Sequence, residues 1–217
     1  MPSVLITGAN RGIGLEFARQ YCRDGWDVIA TVREASEELG SLCTQVETLD
    51  MLDLEAVAGF GDSIDALDLF IANAGTYGPR NVTTAEDAAA WSETFAVNTI
   101  APFLLAQAVL PLVERSGGKL IAISTKMGSI DDNNSGGFIG YRSSKSALNM
   151  AWKSMAVDNP TIPCAVLHPG WVQTRMGGAS APLDPAASVA GMRRVIDGLS
   201  AEQSGGFFSY DGTEIPW

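Results

Sequence analysis

Short apolar runs alternate with longer amphipathic segments along almost the whole chain. The short runs have the length of β-strands and cover residues 4–7, 27–31, 46–49, 67–72, 119–124, 163–167 and 206–210. Between them, apolar residues recur at helical spacing over 12–23, 54–64, 84–115, 140–157 and 185–199. This order of strands and helices is typical of repeated βαβ units.

Several predicted strands are apolar at consecutive positions rather than at alternate ones, as in Val4-Leu5-Ile6 and Leu69-Phe70-Ile71-Ala72. Strands with two apolar faces suit a parallel sheet that is covered by helices on both sides. We therefore predict a doubly wound α/β fold with about seven strands. A length of 217 residues, without a visible linker or repeat, indicates a single domain over 1–217. The polar run 131–137 is predicted to be an exposed loop.

The charge of the chain restricts its partners. There are 25 acidic residues against 14 basic ones, which gives a net charge of −11. Because this charge repels phosphate backbones and anionic lipid headgroups, we expect neither a nucleic-acid nor a membrane partner. No apolar run approaches the roughly 20 residues of a membrane-spanning helix, and the first residues lack the pattern of a secretory leader. We expect a cytoplasmic protein.

Cysteine and histidine are too sparse for metal or disulfide chemistry. Cys22, Cys43 and Cys164 are widely spaced and form no CxxC motif, so all three are predicted to be structural. The single histidine, His168, excludes sites that need several imidazole ligands. No metal site is predicted.

A glycine-rich turn follows the first predicted strand and opens the first predicted helix. Gly8, Gly12 and Gly14 lie in this turn, in the order GxxxGxG rather than GxGxxG. Glycines at such a turn let backbone N–H groups approach a pyrophosphate, and the helix dipole adds favourable charge. Residues 7–14 are therefore predicted to bind the phosphates of a dinucleotide, and Asn10, Arg11 and Ile13 belong to the same site.

The end of the second predicted strand indicates which dinucleotide is preferred. A carboxylate there would bind the adenosine ribose of NAD, but the strand ends in Ala30-Thr31-Val32-Arg33. Arg33, helped by Arg11, is suited to hold a ribose 2′-phosphate through charge-assisted hydrogen bonds. We predict that NADP(H) is preferred over NAD(H). The alternative is that Arg33 is a solvated charge paired with Glu34 or Glu37.

Tyr141 and Lys145 are four residues apart at the start of a predicted helix, so they lie on one helix face. A tyrosine with an ordinary pKa of about 10 is a poor acid and is seldom ionised. A neighbouring ammonium favours the phenolate and lowers the pKa. Lys145 is therefore predicted to lower the pKa of Tyr141.

Further motifs match, in order and spacing, the short-chain dehydrogenase/reductase family, which the chain resembles from Val4 almost to its C-terminus. The matching elements are the TGxxxGIG turn at 7–14, Asp50 after the third strand, Ala72-Asn73-Ala74-Gly75, Asn98, the YxxxK pair and Pro169-Gly170-Trp171-Val172-Gln173-Thr174. The resemblance implies a Rossmann fold and an NAD(P)-dependent oxidoreductase.

The resemblance also implies the roles of these residues. Asp50, with Met51 beside it, contacts the adenine, and Asn98 holds a water in a proton relay. Lys145 also binds the nicotinamide ribose. The remaining implied cofactor contacts are Asn73, Ala74, Gly75, Tyr141, Pro169, Gly170, Val172 and Thr174, of which Val172 and Thr174 orient the carboxamide.

One departure from the family pattern concerns the catalytic serine, which is the second serine of an Ile-Ser-Ser run. Here the run reads Ile123-Ser124-Thr125. Thr125 keeps a hydroxyl that is able to bind a substrate carbonyl, although its β-branch restricts the rotamer. Ser124 is the second candidate and Ser129 a weaker third. Both Thr125 and Ser124 are therefore candidates for the catalytic hydroxyl.

Sequences around 124–130 and 210–217 resemble the C-factor and sniffer-like carbonyl reductase branch of the family. The resemblance implies reduction of an aldehyde or ketone, or oxidation of the alcohol, by a Tyr-Lys-Ser/Thr-Asn set. Few residues separate Thr174 from the helix near Ala186, so the substrate pocket is predicted to be open. The alternatives are an NADP(H)-binding sensor or signalling protein with weak turnover and, by its length less favoured, an extended-family sugar-nucleotide enzyme. Members of the family often pair their subunits through the helix that carries YxxxK, so the resemblance also implies a homodimer.

Overall fold

The computed structural model describes residues 1–42 and 44–217, and within them one parallel sheet of seven strands forms the centre of the molecule. The strands are β1 (Ser3–Thr7), β2 (Asp27–Val32), β3 (Thr44–Thr48), β4 (Leu69–Ala72), β5 (Lys119–Ile123), β6 (Cys164–His168) and β7 (Gly206–Ser209). The helices are α1 (Gly12–Arg23), α2 (Glu37–Gly40), α3 (Leu54–Gly59), α4 (Ala85–Phe95), α5 (Ala101–Ser116), α6 (Ile139–Asp158) and α7 (Pro185–Gly198).

The strand order is β3-β2-β1-β4-β5-β6-β7, and every neighbouring pair is parallel. From β1 the chain winds outward to β3, then returns and winds the other way from β4. The register places Ile6 beside both Ala30 of β2 and Ile71 of β4. A crevice therefore opens at the carboxyl ends of β1 and β4, where the direction of winding reverses, and this is where ligands bind in such sheets.

Each face of the sheet is covered by its own set of helices. On one face, α1 and α7 pack against buried strand residues such as Ile6, Val28 and Ile71. On the other face, α3, α5 and α6 pack against Leu5 and Phe70, among others. The apolar runs predicted to face two layers do so, because neighbouring residues of a strand point to opposite faces. The predicted seven-stranded doubly wound fold is confirmed.

Helix ends follow ordinary capping chemistry. Thr84 and Asp87 form a capping box at the start of α4, and the Asp184 carboxylate accepts a hydrogen bond from Ala187 N at the start of α7. Gly117, with φ of 67°, ends α5 in the left-handed conformation.

Two predicted segments differ in detail, and two short elements were not predicted. The segment predicted as one helix over 84–115 contains a π-helical turn, Ala96–Ile100, between α4 and α5. The segment predicted as helix 54–64 is α3 followed by a 3₁₀ turn, Phe60–Ser63. The short helix α2 and a 3₁₀ turn at Lys126–Gly128 were not predicted, because elements of three or four residues carry no periodic signal.

The helical stretch Ala85–Ser116 corrects the expectation that no apolar segment reaches membrane length. By length and composition alone it is apolar enough to cross a membrane. However, 44% of its apolar window is buried inside the structure, and α5 packs Leu105 and Val109 into the core beneath the sheet. A core helix passes the same test of composition. Of the three cysteines, Cys22 and Cys164 are buried, whereas Cys43 lies outside the described residues.

Candidate functional site

The glycine turn after β1 has no room for a side chain at Gly8 or Gly14. Gly8 and Gly12 have φ of 66° and 57°, in the left-handed region that glycine adopts without strain. A Cβ on Gly14 would lie 2.4 Å from Gly8 O and 2.5 Å from Asn73 Nδ2. The turn therefore exposes backbone rather than side chains to the crevice.

Hydrogen bonds join this turn to the end of β4. The backbone N–H groups of Asn73 and Ala74 both donate to Thr7 Oγ1, at 3.0 Å. The Asn73 amide nitrogen donates to Thr7 O at 2.9 Å and to Gly8 O at 3.2 Å. The ends of β1 and β4, which border the crevice, are thus held in one fixed arrangement.

The amino end of α1 has the features of an anion site. Arg11 precedes the helix in extended backbone without a side-chain cap, and the first turn contains no acidic residue. Backbone N–H groups at this end carry partial positive charge. Next to the turn, the backbone carbonyl of Thr31 accepts a hydrogen bond from Gly8 N at 2.8 Å. The buried hydroxyl of Thr31 has no hydrogen-bond partner among the described residues. A glycine cradle at a helix N-terminus fits the pyrophosphate of a dinucleotide.

The predicted adenine-side residues follow β2 and β3 at the same edge of the sheet. Arg33 and Arg11 are exposed, and Arg33 forms no ion pair within the described part of the chain. The alternative pairing of Arg33 with Glu34 or Glu37 is not observed. Asp50 accepts a hydrogen bond from Leu52 N at 3.0 Å, and the Met51 side chain is buried.

Tyr141 and Lys145 lie on the buried face of α6, as the spacing predicts. The Lys145 ammonium donates to Ile123 O, at the end of β5, at 2.7 Å. It also lies 3.6 Å from the position that a Cβ on Gly75 would take. Lys145 therefore reaches the carboxyl ends of both β4 and β5. Burial lowers the pKa of Lys145 to about 8, because desolvation disfavours the charged form.

The electrostatics of Tyr141 differ from the prediction. Burial raises the pKa of the Tyr141 phenol above its ordinary value, and the neighbouring Tyr77 raises it further. The predicted lowering of the Tyr141 pKa by Lys145 is not observed. The Lys145 ammonium donates its hydrogen bond to the Ile123 carbonyl instead. Tyr141 is consequently a neutral phenol at neutral pH, the protonation state that an acid requires.

The two hydroxyl candidates after β5 have different surroundings. Ser124 is buried and donates its hydroxyl hydrogen to Asn149 Oδ1 at 2.5 Å. Thr125 Oγ1 accepts from Met127 N at 3.2 Å and so caps the following 3₁₀ turn. Ser129, the weaker candidate, donates to Trp217 O at 3.3 Å. Only Thr125 has its hydroxyl hydrogen uncommitted within the described residues.

Asn98 lies in the π-helical turn and is completely buried. Its amide nitrogen donates to Thr76 O at 2.8 Å and to Ser144 Oγ at 3.0 Å, and its oxygen accepts from Thr76 N at 2.8 Å. Both amide hydrogens are therefore used to join the loop after β4 to α6. These contacts leave no side-chain hydrogen of Asn98 to donate to a water, so the predicted role in a proton relay stays a prediction.

The segment after β6 lies over the glycine turn. Gly170 has φ of 84°, the Ser188 hydroxyl donates to Pro169 O at 2.6 Å, and Val172 is buried. A Cβ on Gly12 would lie 3.3 Å from Thr174 Cγ2. The predicted nicotinamide-side residues are thus brought beside the predicted phosphate-binding turn.

Sequence reasoning missed an aromatic group beside Tyr141. The rings of Tyr77 and Tyr141 are in edge contact with 4.8 Å between centroids, and Phe138 lies 6.0 Å from Tyr77. Tyr77 follows the Asn73-Ala74-Gly75 motif by two positions, which was the one available signal.

Known proteins are similar to this chain in sequence and in fold. The family model for short chain dehydrogenases matches residues 2–183. The C-signal of Myxococcus xanthus is 45% identical over 154 residues, covering 70% of this chain and 93% of the relative. The carbonyl reductase Sniffer of D. melanogaster is 34% identical with a TM-score of 0.92 over 100% of both chains.

A further solved relative contains the reduced cofactor. The NADPH-bound carbonyl reductase from chicken fatty liver is 33% identical, with a TM-score of 0.89 over 100% of this chain and 99% of its own. The family match covers most of the chain, and the predicted motifs meet at one edge of the sheet. The chain therefore belongs to the short-chain dehydrogenase/reductase family and is an NAD(P)-dependent oxidoreductase.

Proposed function

We propose that the chain reduces aldehyde and ketone carbonyls with NADPH, or oxidises the corresponding alcohols, and that Tyr141 is the proton donor. The observation that carries this proposal is the position of Lys145, which shares the buried face of α6 with Tyr141 and whose ammonium lies at the carboxyl ends of β4 and β5, just before Thr125. Solved carbonyl reductases at 33–34% identity support the reaction class.

The crevice between the ends of β1 and β4 would hold the dinucleotide. The backbone N–H groups of the turn would bind its pyrophosphate, since the glycines leave no side chain in the way. When bound, the nicotinamide supplies the hydride. The residues that would hold the cofactor are Gly8, Asn10, Arg11, Gly12, Ile13, Gly14, Arg33, Asp50, Met51, Asn73, Ala74, Gly75, Tyr141, Lys145, Pro169, Gly170, Val172 and Thr174.

Tyr141 would act on the carbonyl oxygen. A neutral phenol donates a hydrogen bond to this oxygen and transfers its proton as negative charge develops there. The resulting phenolate is stabilised by the Lys145 ammonium, which at neutral pH is still charged because its pKa is about 8. Lys145 then has to turn from the Ile123 carbonyl toward the phenol and the cofactor ribose.

Thr125 is the hydroxyl that we assign to the second hydrogen bond on the carbonyl oxygen. Its oxygen accepts a hydrogen bond from Met127 N, which fixes the oxygen and leaves the hydrogen to be donated. Ser124 instead serves Asn149, whose amide nitrogen donates to Gly128 O at 3.2 Å. We therefore assign Ser124 to the support of the loop and Thr125 to the chemistry.

A preference for NADPH is proposed from Arg33. Its exposed guanidinium follows β2, where NAD-specific proteins place a carboxylate. Replacing Arg33 by Ala is expected to raise the KM for NADPH about 10- to 100-fold, the loss of a charge-assisted phosphate contact. The KM for NADH serves as the internal control and should change less than about threefold. Equal changes in the KM for NADPH and for NADH would show that Arg33 does not recognise the 2′-phosphate.

The proposed partners are a small carbonyl or alcohol and, through α6, a second copy of the chain. Met150 and Val157 are 66% and 68% exposed on this helix, and their spacing of seven residues places them on one helix face, where a second copy could cover them. Size-exclusion chromatography over a range of concentrations tests the second copy.

A second candidate function is signalling by cofactor binding with weak turnover. The 45% identity to a protein named C-signal favours it. The two candidates differ in turnover and not in cofactor binding, so one assay separates them.

The deciding assay measures NADPH and NADH oxidation by purified protein against aldehydes, ketones and quinones. We expect turnover with NADPH that falls at least about 10³-fold in Tyr141→Phe, since the acid is lost. Tyr21→Phe is the matched control, because Tyr21 lies on α1 at the other face of the sheet. Tight NADPH binding without turnover on any carbonyl would favour the signalling function.

A further inference from the structure

The loop between β4 and α4 is held rigidly beside the site. Thr76 is bonded through both its N–H and its carbonyl to the Asn98 amide. A Cβ on Gly78, which has φ of 63°, would lie 2.0 Å from Thr94 Oγ1, so the loop runs directly against α4. Pro79 O accepts a hydrogen bond from Gly140 N in the first turn of α6, at 3.3 Å. Tyr77, in the middle of this loop, therefore has a fixed backbone.

The Tyr77 ring is part of a chain of aromatic contacts that ends at Tyr141. It meets the Tyr141 ring edge-on at 4.8 Å and the Phe138 ring at 6.0 Å. The Arg80 guanidinium lies over the Phe138 ring, with its central carbon 4.8 Å from the ring centroid. Phe138 has φ of 51°, a positive value that no other non-glycine residue in the described part of the chain shares. A bulky residue keeps this costly conformation only where its surroundings enforce it.

The Tyr77 hydroxyl reaches the opposite wall of the cleft. It donates to Met176 O at 3.2 Å, across a sequence separation of 99 residues. Met176 belongs to segment 171–178, which is folded on itself by hydrogen bonds from Trp171 Nε1 to Gly177 O and from Gly177 N to Thr174 Oγ1. One side chain thus touches both Tyr141 and the segment that lies over the glycine turn.

We propose that Tyr77 is a positioning residue whose ring orients the Tyr141 phenol and whose hydroxyl holds segment 171–178, so that it sets the width of the carbonyl-binding cleft. The inference rests on the proposed function in so far as Tyr141 is the proton donor. Its two parts involve different atoms of one side chain, so they are separable by substitution.

Two substitutions separate the ring from the hydroxyl. Tyr77→Phe keeps the ring contact and loses the bond to Met176. The cleft should widen, so kcat/KM for benzil, a two-ring diketone, should rise about threefold relative to kcat/KM for propanal. The kcat for propanal should stay within about twofold. Tyr77→Leu also loses the ring pair and should lower kcat for both substrates by up to about tenfold.

A split between turnover and cofactor binding tests whether Tyr77 acts on Tyr141 itself. Tyr77→Leu removes the edge contact that orients the Tyr141 phenol. The kcat for propanal should fall while the KM for NADPH stays within about twofold. The matched control Tyr21→Phe should change neither quantity, whereas a purely structural role for Tyr77 would impair both in Tyr77→Leu.

A proteolysis assay reports on the segment without any turnover. Arg175 is exposed and precedes Met176, so trypsin cuts next to the bond that Tyr77 holds. In Tyr77→Phe the initial rate of cleavage at Arg175 should rise about threefold or more, as expected for a lost hydrogen bond. Cleavage at Arg33, an exposed site on the cofactor side, should be unchanged and serves as the internal control.

The outcomes distinguish the inference from the proposed function. Wild-type turnover by Tyr141→Phe would overturn the proposed function, and cleavage at Arg175 would then decide alone whether Tyr77 holds the segment. Unchanged kinetics and unchanged Arg175 cleavage in both Tyr77 variants would overturn the inference while Tyr141 keeps its role.

Discussion

The cofactor side and the substrate side of the crevice are built differently. On the cofactor side, Gly14 has backbone and amide atoms within 2.5 Å of where a Cβ would lie, and two strands are joined by four hydrogen bonds around Thr7 and Asn73. On the substrate side, Trp171 is 58% exposed and Met176 is 39% exposed. There, a single hydrogen bond from Tyr77 spans the cleft.

This difference indicates that the two sides of the crevice respond differently to substitution. The cofactor side is formed by closely packed backbone atoms, so it suits one ligand of fixed shape, and an added side chain would disrupt the site. Exposed side chains on a short segment form a site whose shape changes at low cost. The cofactor side should therefore be sensitive to the smallest added atom, and the substrate side to which functional group is present.

The largest effect should follow from adding one methyl group on the cofactor side. In Gly14→Ala the new Cβ would collide with Gly8 O, a backbone atom that cannot move without opening the turn. NADPH affinity should fall at least about 100-fold, with a loss of about 1–3 kcal/mol in the free energy of unfolding. Titration of NADPH fluorescence and urea denaturation measure the two quantities.

Gly59→Ala is the control, since no heavy atom lies within 4 Å of its Cβ position and its φ is −86°. It should leave both quantities unchanged. Equal losses in the two variants would show that the packing of the turn is not the cause.

An effect of comparable size, on turnover rather than on cofactor binding, is expected from the hydroxyls after β5. Thr125→Val should lower kcat by about 10²–10³-fold, the cost of removing one donor from a developing oxyanion. Thr125→Ser should keep kcat within a few fold because it restores the family residue. In contrast, Ser124→Ala removes the hydrogen bond to the buried Asn149 Oδ1. It should lower the free energy of unfolding by about 1–3 kcal/mol with little change in kcat. The reverse pattern would make Ser124 the catalytic hydroxyl.

The smallest effect concerns stability as a function of pH. Lys145 has a pKa of about 8 when buried and 10.5 ordinarily, so between these values the unfolded state binds more protons. The free energy of unfolding should therefore gain up to about 1.4 kcal/mol per pH unit from Lys145 above pH 8. Above pH 10 the buried tyrosines Tyr21 and Tyr141, whose pKa values are raised, act in the opposite direction.

Denaturant unfolding of wild type and Lys145→Met from pH 7 to 10 tests this behaviour. The difference in stability between the two proteins should change with pH in favour of wild type. Parallel curves would mean that Lys145 is not desolvated in the folded state.

The sequence allowed much of the fold to be predicted, because local patterns determine it. Two-sided apolar runs such as Val4-Leu5-Ile6 identify buried parallel strands. Helix α1 begins and ends at the predicted residues, since the glycine turn precedes it and Asp24-Gly25 follows. The i, i+4 spacing of Tyr141 and Lys145 likewise fixes their common face without tertiary information.

Tertiary contacts account for what was not predicted. Neighbouring residues Ser124 and Thr125 are chemically alike, and only the position of Asn149 on α6 distinguishes them. The raised pKa of Tyr141 depends on burial by distant segments, which spacing does not report. Tyr77 is brought to Tyr141 by the docking of its loop on Asn98, a contact between residues 22 positions apart.

The central claim is that the glycine turn provides most of the binding energy for the cofactor, whereas Tyr141 provides the proton. The most direct test measures the Kd for NADPH and the kcat of Tyr141→Phe beside those of Gly14→Ala and wild type. We predict that Tyr141→Phe binds NADPH within about threefold of wild type while kcat falls at least about 10³-fold. Wild-type kcat in Tyr141→Phe, or a loss of NADPH binding as large as that of Gly14→Ala, would contradict the account.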